Sequence, residues 1–402
     1  MSWRHWIIDI RDGQVIAPID IPSFAWDMSI SDFGFQTTDK GAGKADESSL
    51  TVPWTALDAH TPSGRDSLLD SRRRGILTCW VRDLHDPEDM GVPIMWGKIG
   101  SREDTLLDTT FSLESPMAIL QSRYAIRDGA FKDGTSTDTI SFDSLSYRGI
   151  CSELGRIATD AKQGGGLPID WTYLGEAGAH QRTNYQAWNV QNLAVSQLIT
   201  NIANSKGGPD VAFRPYWSDP SHARVRFLAG SDADVYLDMD HLPITLSSYA
   251  GAGSLEGLAI YYQEGYQRWY GTGAGQDEST ITAYWEQMAE VTHTQDPPIL
   301  REAVFGDTDA DNLALLKEHL SGVATAGRLM QMTGSIDFND SDARGMPIHP
   351  CGSFWPGERV DLDVAGFSTL PDGRYELRLM EMIGDQTSKA MCKFDVLDAP
   401  FQ

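Results

Sequence analysis

The chain has 402 residues, 41% of them hydrophobic and 22% charged, with 38 Gly, 19 Pro and 4 Cys. That length exceeds what one hydrophobic core usually supports, so about two to four domains are expected, and the apolar share excludes a disordered chain. A formal net charge of −25 excludes nucleic acid as a stable direct ligand, because such binding rests on cations that neutralise phosphates.

The opening MSWRHWIIDI alternates like a strand and lacks the basic then apolar order of a signal peptide. No apolar run is long enough to span a membrane. Synthesis and folding in a cytoplasm are expected, with Cys79, Cys151, Cys351 and Cys392 as reduced, mostly buried thiols, since they show no C-x-x-C spacing. From Trp3 to about residue 125, WIIDI, VIAPIDI, FAWDMSI, SLTVPW, ILTCWV and VPIMWGKI are short, rich in β-branched and aromatic residues, and separated by turn residues. They describe a first β-barrel over 1–125, closed by one long strand through TTFSLESPMAILQSR. Arg72, Arg73 and Arg74 are the one tight basic cluster and fit a solvated hairpin loop.

Residues 126–240 carry helices. In DSLSYRGICSELGRIATDA, Ile150, Leu154, Ile157, Ala158 and Ala161 share a face, with Asp143 or Ser144 as cap and Gly164, Gly165 and Gly166 as stop. In NVQNLAVSQLITNIAN, Val190, Leu193, Leu198, Ile199 and Ile202 recur at helical spacing behind an Asn189 cap. Gly207 and Gly208 are expected to supply a left-handed C-cap, and Pro209 forbids continuation, so the chain leaves extended from Asp210. Val211 and Phe213 alternate with Ala212 and Arg214, and after SDPSH the run ARVRFLAG returns antiparallel. Pro215 removes a ladder donor and marks an edge strand. Trp171 and Trp188 are the expected packing anchors of this small α/β insert.

Beyond Leu242, PITLSSY, GLAIYYQE and ITAYWEQM resume the strands, broken by GTGAGQDES. A lone G-x-G-x-G with no following helix to cradle a phosphate is a flexible turn. Residues 241–305 open a second β-barrel. Residues 306–334 form a helical segment, with Leu313, Leu316, Leu320, Val323 and Ala324 on one stripe, and 335–402 complete the barrel. The fold class expected is β-rich α+β: two β-barrel domains, an inserted small α/β domain and a linking helix.

Chemistry is sparse. Asp307, Asp309, Asp311 and Glu318 match four positions of a calcium loop, yet Asn312 stands where the turn needs Gly and Leu315 where a polar ligand belongs. A helix cap at Asp309 or Asp311 is preferred. Asp232, Asp234, Asp238 and Asp240 suit an exposed strand end better than a metal site. The nine His, His180, His241 and His349 among them, lack metal or catalytic spacing, and Ser254 lacks the nucleophile elbow. Asp170 beside Trp171 and Asp219 after Trp217 are the carboxylates available to a sugar-cleaving site, but barrel and interface anchors account better for the 12 Trp. No catalytic residue, metal or cofactor is assigned.

As whole phrases, the helix, GGPD, the AFRP strand and its aromatic resemble the minor tail proteins of siphophages that infect actinobacteria, a family similar to the tail-hub proteins of tailed phages. The same order continues in an S-D-x-G turn at Ser31, Asp32 and Gly34, and a W-G-x-I strand at Trp96, Gly97 and Ile99. It extends to PPILRE, a helix, a P-G-E-x-V strand from Pro356 and Gly357, and a final G-x-Y-x-x-R strand. The resemblance covers nearly the whole chain and implies a structural virion protein, not an enzyme. Its place would be the hub at the distal tip of a long non-contractile tail, a homotrimer whose barrels form a pseudo-sixfold ring. Implied partners are the distal tail protein, the tape-measure protein and other tip or receptor-binding proteins, with no stable nucleic-acid binding and no membrane insertion. Gly207, Gly208, Pro209, Asp210, Phe213, Pro215, Trp96, Gly97, Pro356 and Gly357 are singled out as structural. Competing readings are a tail-associated cell-wall hydrolase and a carbohydrate-binding tip module. Such hydrolases usually carry an appended catalytic domain, whereas this chain ends at Phe401 and Gln402, soon after the second barrel closes.

Overall fold

Alternation along Ser2–Asp9 sends Trp3 and Ile7 to one face, and the strands beside it do the same. A computed structural model describes residues 2–30, 34–37, 49–205, 207–237, 241–249, 253–262, 265–292, 297–307, 310, 312–326 and 330–397. Its first sheet runs in the order Val15–Ile19, Ser2–Asp9, Arg74–Val81, Val92–Asp104, Asp108–Glu114, Ser49–Pro53, all antiparallel. Trp3, Ile76, Trp80, Ile94 and Phe111 fill the concave side, while Ile8, Leu77, Cys79 and Trp96 line the back and meet the helical layer. Burial on both faces explains why Arg74–Val81 is buried almost continuously instead of alternating.

Of the arginine cluster, Arg72 and Arg73 stand exposed in the turn ahead of Arg74–Val81, as a solvated loop requires, whereas the Arg74 side chain is only 12% exposed. Asp9, its side chain only 4% exposed, takes Arg73 at 2.9 Å and Arg74 at 2.8 Å, while Arg72 pairs with Asp70. A buried carboxylate needs such compensation, and the hairpin supplies it.

The single closing strand expected through TTFSLESPMAILQSR breaks in two. The strand stops at Glu114, Ser115 accepts the Ala118 amide, and Pro116 opens the helix Pro116–Gln121. The next helix, Tyr147–Ala158, is capped by Ser146, not by Asp143 or Ser144, which lie in the strand Thr139–Leu145. It ends at Thr159, before the three glycines. Asn189 does not begin a helix either: Ala187–Asn192 is a 3-10 turn, and the helix Val195–Ala203 starts after a kink. Val211–Asp219 is the outer strand of a three-stranded sheet with Ile169–Trp171 and His222–Ala229, so Pro215 sits on an edge strand. Trp171 anchors this layer at 5% exposure, whereas Trp188 is 64% exposed and anchors nothing in it.

The second sheet orders Ile244–Tyr249, Arg359–Ala365, Gly373–Asp385, Lys389–Val396, Gln331–Asp337 and Glu256–Tyr261. Leu255 N–H donates to Ser247 O at 2.9 Å, drawing its two outer strands together and curling the sheet. Ala25–Ser29, expected in the first barrel, pairs instead with Gly373–Asp385 and carries Gly34–Thr37 beside it. In this pairing the Trp26 indole lies over Gly384, where an added Cβ would come within 2.4 Å of the ring. Trp3, Trp26, Trp80 and Phe338 then form a continuous aromatic core shared by both sheets. Arg268–Thr272, Thr282–Glu286 and Glu302–Gly306 form a separate three-stranded sheet, against which the helix Leu313–Ala326 packs Leu316 and Leu320. On that helix Leu313 and Val323 remain exposed. The result is a β-rich chain with two curled sheets and few helices.

Candidate functional site

Six of the residues singled out by sequence gather where the first sheet, the helical layer and the second sheet meet. Trp96, Phe213, Pro215 and Pro356 line one small apolar cavity of about 40 Å³ there, together with Ile30 and Trp355. Asp210 and Gly357 flank it. Gly357 has φ +94 and packs against Leu237 and Ile30, and its amide donates to Leu379 O at 2.7 Å. Gly97 lies in the strand beside Trp96. Gly207, Gly208 and Pro209 lead from the end of Val195–Ala203 into the junction, with Pro209 buried.

The two glycines differ in role from the expected cap. Asn204 closes the helix in a right-handed conformation, and Gly207 takes φ +73 in the turn that follows. Gly208 is absent from the positive-φ positions. Its need is space, because an added Cβ would lie 2.2 Å from Ile202 O and 2.4 Å from Ala203 O.

Beside the cavity lie two largely buried ion pairs, and a more exposed third, that sequence reasoning missed. Arg214 reaches Glu358 at 2.7 Å, with the Glu358 side chain only 1% exposed. The same carboxylate accepts the Trp355 amide at 3.1 Å and lies 3.4 Å from His241 Nε2. Arg378 pairs with Asp210, and both Arg378 and Arg359 stand over the Tyr236 ring, 4.8 and 5.1 Å from its centre. Arg359 continues to Asp234 at 2.8 Å. Ion pairs therefore clamp the helical layer to the second sheet. A signal existed only at Glu358, a charged residue directly after a turn; the alternation of Val211–Asp219 gave no reason to expect Arg214 inside.

Burial pushes the Asp210 carboxyl up to about 6 despite Arg378 beside it. A folded value above the ordinary 3.8 means the native state holds this proton more tightly than the unfolded chain. The contribution of Asp210 to stability is therefore full below pH 4 and is lost as pH rises through about 6. Between pH 4.5 and 7.5, wild type should lose about 2 kcal/mol relative to Asp210→Asn, read from urea unfolding at both pH values. Parallel pH profiles would contradict this.

The enzymatic candidates are held in ion pairs. Burial opposes ionisation of Asp170, yet hydrogen bonds from Arg224 and Tyr216 hold its carboxyl below the usual range. Hydrogen bonds from His222 and Ser221 hold Asp219 down to about 2. A glycosidic general acid needs the opposite shift. His180 stacks on Tyr147 with centres 3.5 Å apart, and all four cysteines are buried and free. Asp307 pairs with His319 at 2.5 Å, and the amide of Leu315 donates to Asn312 Oδ1, which makes Asn312 the cap of Leu313–Ala326. Asp309 and Asp311 lie outside the described residues, as do Ser31, Asp32, Asp238 and Asp240. Among the described residues no cluster of three or more His, Cys, Asp or Glu side chains is arranged to hold a metal ion. No described helix is long and apolar enough to cross a membrane.

No protein-family model matches the chain, and no curated protein matches it. Solved structures do. The tail protein from Neisseria meningitidis MC58 is 12% identical, with 98% of this chain and 96% of that one covered at a TM-score of 0.51. The 43 kDa tail protein of prophage MuSo2 from Shewanella oneidensis is 9% identical, with 98% of each chain covered at a TM-score of 0.50. Likeness at these identities speaks for the fold, and over nearly its whole length this chain has the fold of these two tail proteins.

Proposed function

We propose that this chain is a structural component of a phage tail, acting as the hub at the distal tip of a long non-contractile tail. The observation that carries the reading is the fold likeness to two tail proteins over 98% of this chain. In this reading the first sheet, over 2–19 and 49–114, and the second sheet, over 244–261 and 331–396 with Ala25–Ser29 and Gly34–Thr37, supply the hub barrels, 126–240 is an insert, and the three strands within 268–306 with the helix Leu313–Ala326 are a small separate unit, where barrel parts at 241–305 and 335–402 and a helical segment at 306–334 were expected. Three copies would set six curled sheets around one axis, continuing a hexameric tube. The shared aromatic core and the charged clamp would keep the two sheets of each copy at a fixed angle, as a rigid ring requires. Distal tail protein, tape-measure protein and further tip proteins are the neighbours proposed. The siphophage assignment, with actinobacterial hosts, rests on the sequence phrases described above.

The net charge suits passage of DNA. A −25 chain lining a channel repels phosphates, so a genome slides without salt-dependent retention. No hydrolytic role is proposed, since Asp170 and Asp219 are tuned away from acid catalysis. The test is imaging of purified virions labelled with an antibody to this chain, with label expected at the tail tip. Label on the capsid, or retention of duplex DNA at micromolar protein in physiological salt, would reject the reading.

A further inference from the structure

The small sheet of Arg268–Thr272, Thr282–Glu286 and Glu302–Gly306 has two faces of opposite kind. Alternation turns Trp269, Trp285 and Phe305 inward, where they pack with Leu316 and Leu320 of the helix Leu313–Ala326. The opposite face lies open. Its register sets Tyr284, Tyr270 and Val304 in one row across the three strands, at 65%, 42% and 73% exposure. On one side of this row stand Glu286, Arg268 and Glu302, and on the other Thr282 and Thr272. A shallow cleft of about 360 Å³ lies over Arg268, Tyr270, Thr282 and Tyr284. Two tyrosine rings thus stand on neighbouring strands in water, while the tryptophans of the same strands serve the core.

The groups around the rings are polar, fixed and nearly balanced in charge. Arg268 reaches Glu286 and Glu302 at 3.2 Å each, and the Tyr270 hydroxyl donates to the same Glu302 oxygen at 2.6 Å. Hydrogen bonds from Tyr270 and then Arg268 hold the Glu302 carboxyl below its usual range, and the Tyr270 bond also fixes its ring. Glu302 Oε2 and Glu286 Oε1 accept no side-chain hydrogen bond among the described residues. These features select an occupant. An anion would meet carboxylates, and a cationic segment would find them already paired with Arg268. Three strands about 4.8 Å apart, with residues about 3.4 Å apart along each, give a platform of about 10 by 14 Å. A stable protein partner covers roughly 800 Å² on each side, far more than this platform offers. A neutral polyhydroxylated ring suits both halves of the face. Its C–H side lies against the negative face of a tyrosine ring, and its hydroxyls donate to the free carboxylate oxygens.

We propose that this face binds a neutral glycan, with hexopyranose rings stacked on Tyr270 and Tyr284 and their hydroxyls bonded to Glu286, Glu302 and Thr282. The site adds a binding function to the hub reading and does not depend on it.

The test titrates the full chain with neutral hexasaccharides of glucose, mannose, galactose and N-acetylglucosamine, reading affinity by calorimetry and contact by saturation transfer from protein to sugar protons in NMR. At least one sugar should bind with a millimolar or tighter Kd, and its ring C–H protons should take up the most saturation. Tyr284→Ala should weaken binding about tenfold with unchanged melting, because the ring is exposed, while Tyr284→Phe should keep most of it, because the stacking surface remains. Thr282→Arg, at another exposed position, fills the cleft without touching a ring and should block binding. Tyr261→Ala, at a tyrosine 64% exposed on the second sheet, should change nothing. Failure of all four sugars to bind at millimolar concentration, or binding that survives both Tyr284→Ala and Thr282→Arg, overturns this site and leaves the hub reading standing. Binding of an oligolysine probe that depends on Tyr284, with no sugar bound, overturns the glycan as occupant.

Discussion

Arg214→Met should destabilise the protein by about 3–5 kcal/mol, measured by urea unfolding at neutral pH. Methionine keeps much of the volume and the contact with Trp355 but removes the charge that Glu358 faces at 2.7 Å. The Glu358 side chain is 1% exposed, so water cannot replace the lost guanidinium. His241 lies 3.4 Å away and is 40% exposed, a partner that solvent shares. A buried carboxylate left in this state bears most of its desolvation cost. The double variant Arg214→Met with Glu358→Gln should recover much of the loss, because it removes both charges instead of stranding one. An effect below about 1 kcal/mol for the single variant would mean that the clamp is wetter than its burial indicates.

Gly208→Val should cost about 3 kcal/mol and Gly207→Val about 1–2 kcal/mol, for different reasons. At position 208 the obstacle is backbone: an added Cβ meets Ile202 O at 2.2 Å and Ala203 O at 2.4 Å, and carbonyl oxygens at a helix end cannot swing away as a side chain can. At position 207 nothing lies within 4 Å of an added Cβ, so the cost is that of a β-branched residue at φ +73. Gly207→Asn should therefore be nearly neutral, since asparagine tolerates the left-handed region, while Gly208→Asn should be as harmful as any other side chain there. Thermal melting of the four variants checks the order. Equal losses at both positions would place the demand on φ alone.

The sequence already held much of the local structure. Period-two runs marked most strands, the stripe of Leu316, Leu320 and Ala324 marked a helix, and Gly207, Gly208 and Pro209 marked the place where a helix gives way to a strand. Helix starts were less legible. Ser146 and Asn312 cap helices where Asp143 or Ser144, and Asp309 or Asp311, were favoured, because neighbouring polar residues offer several caps of similar strength, whereas the helix expected from Asn189 starts after Ala194, which offers no side-chain cap at all.

What the sequence determined by itself was which faces are apolar and where the chain must turn, since side-chain periodicity and the backbone limits of Gly and Pro are local properties. Tertiary structure alone decided partners. Trp26 and Met28 alternate as any buried strand does, and nothing in that alternation says that Ala25–Ser29 pairs with the second sheet, with Trp26 over the bare surface at Gly384. Arg72, Arg73 and Arg74 read alike as a solvated run, and only the burial of Asp9, 64 residues from Arg73, draws Arg74 inward while Arg72 and Arg73 stay exposed. Arg214, Glu358, Asp210 and Arg378 form their clamp across more than a hundred residues of sequence. Pairing of this kind follows from which surfaces fold onto one another, and a charge bears no mark of whether it will meet water or its opposite.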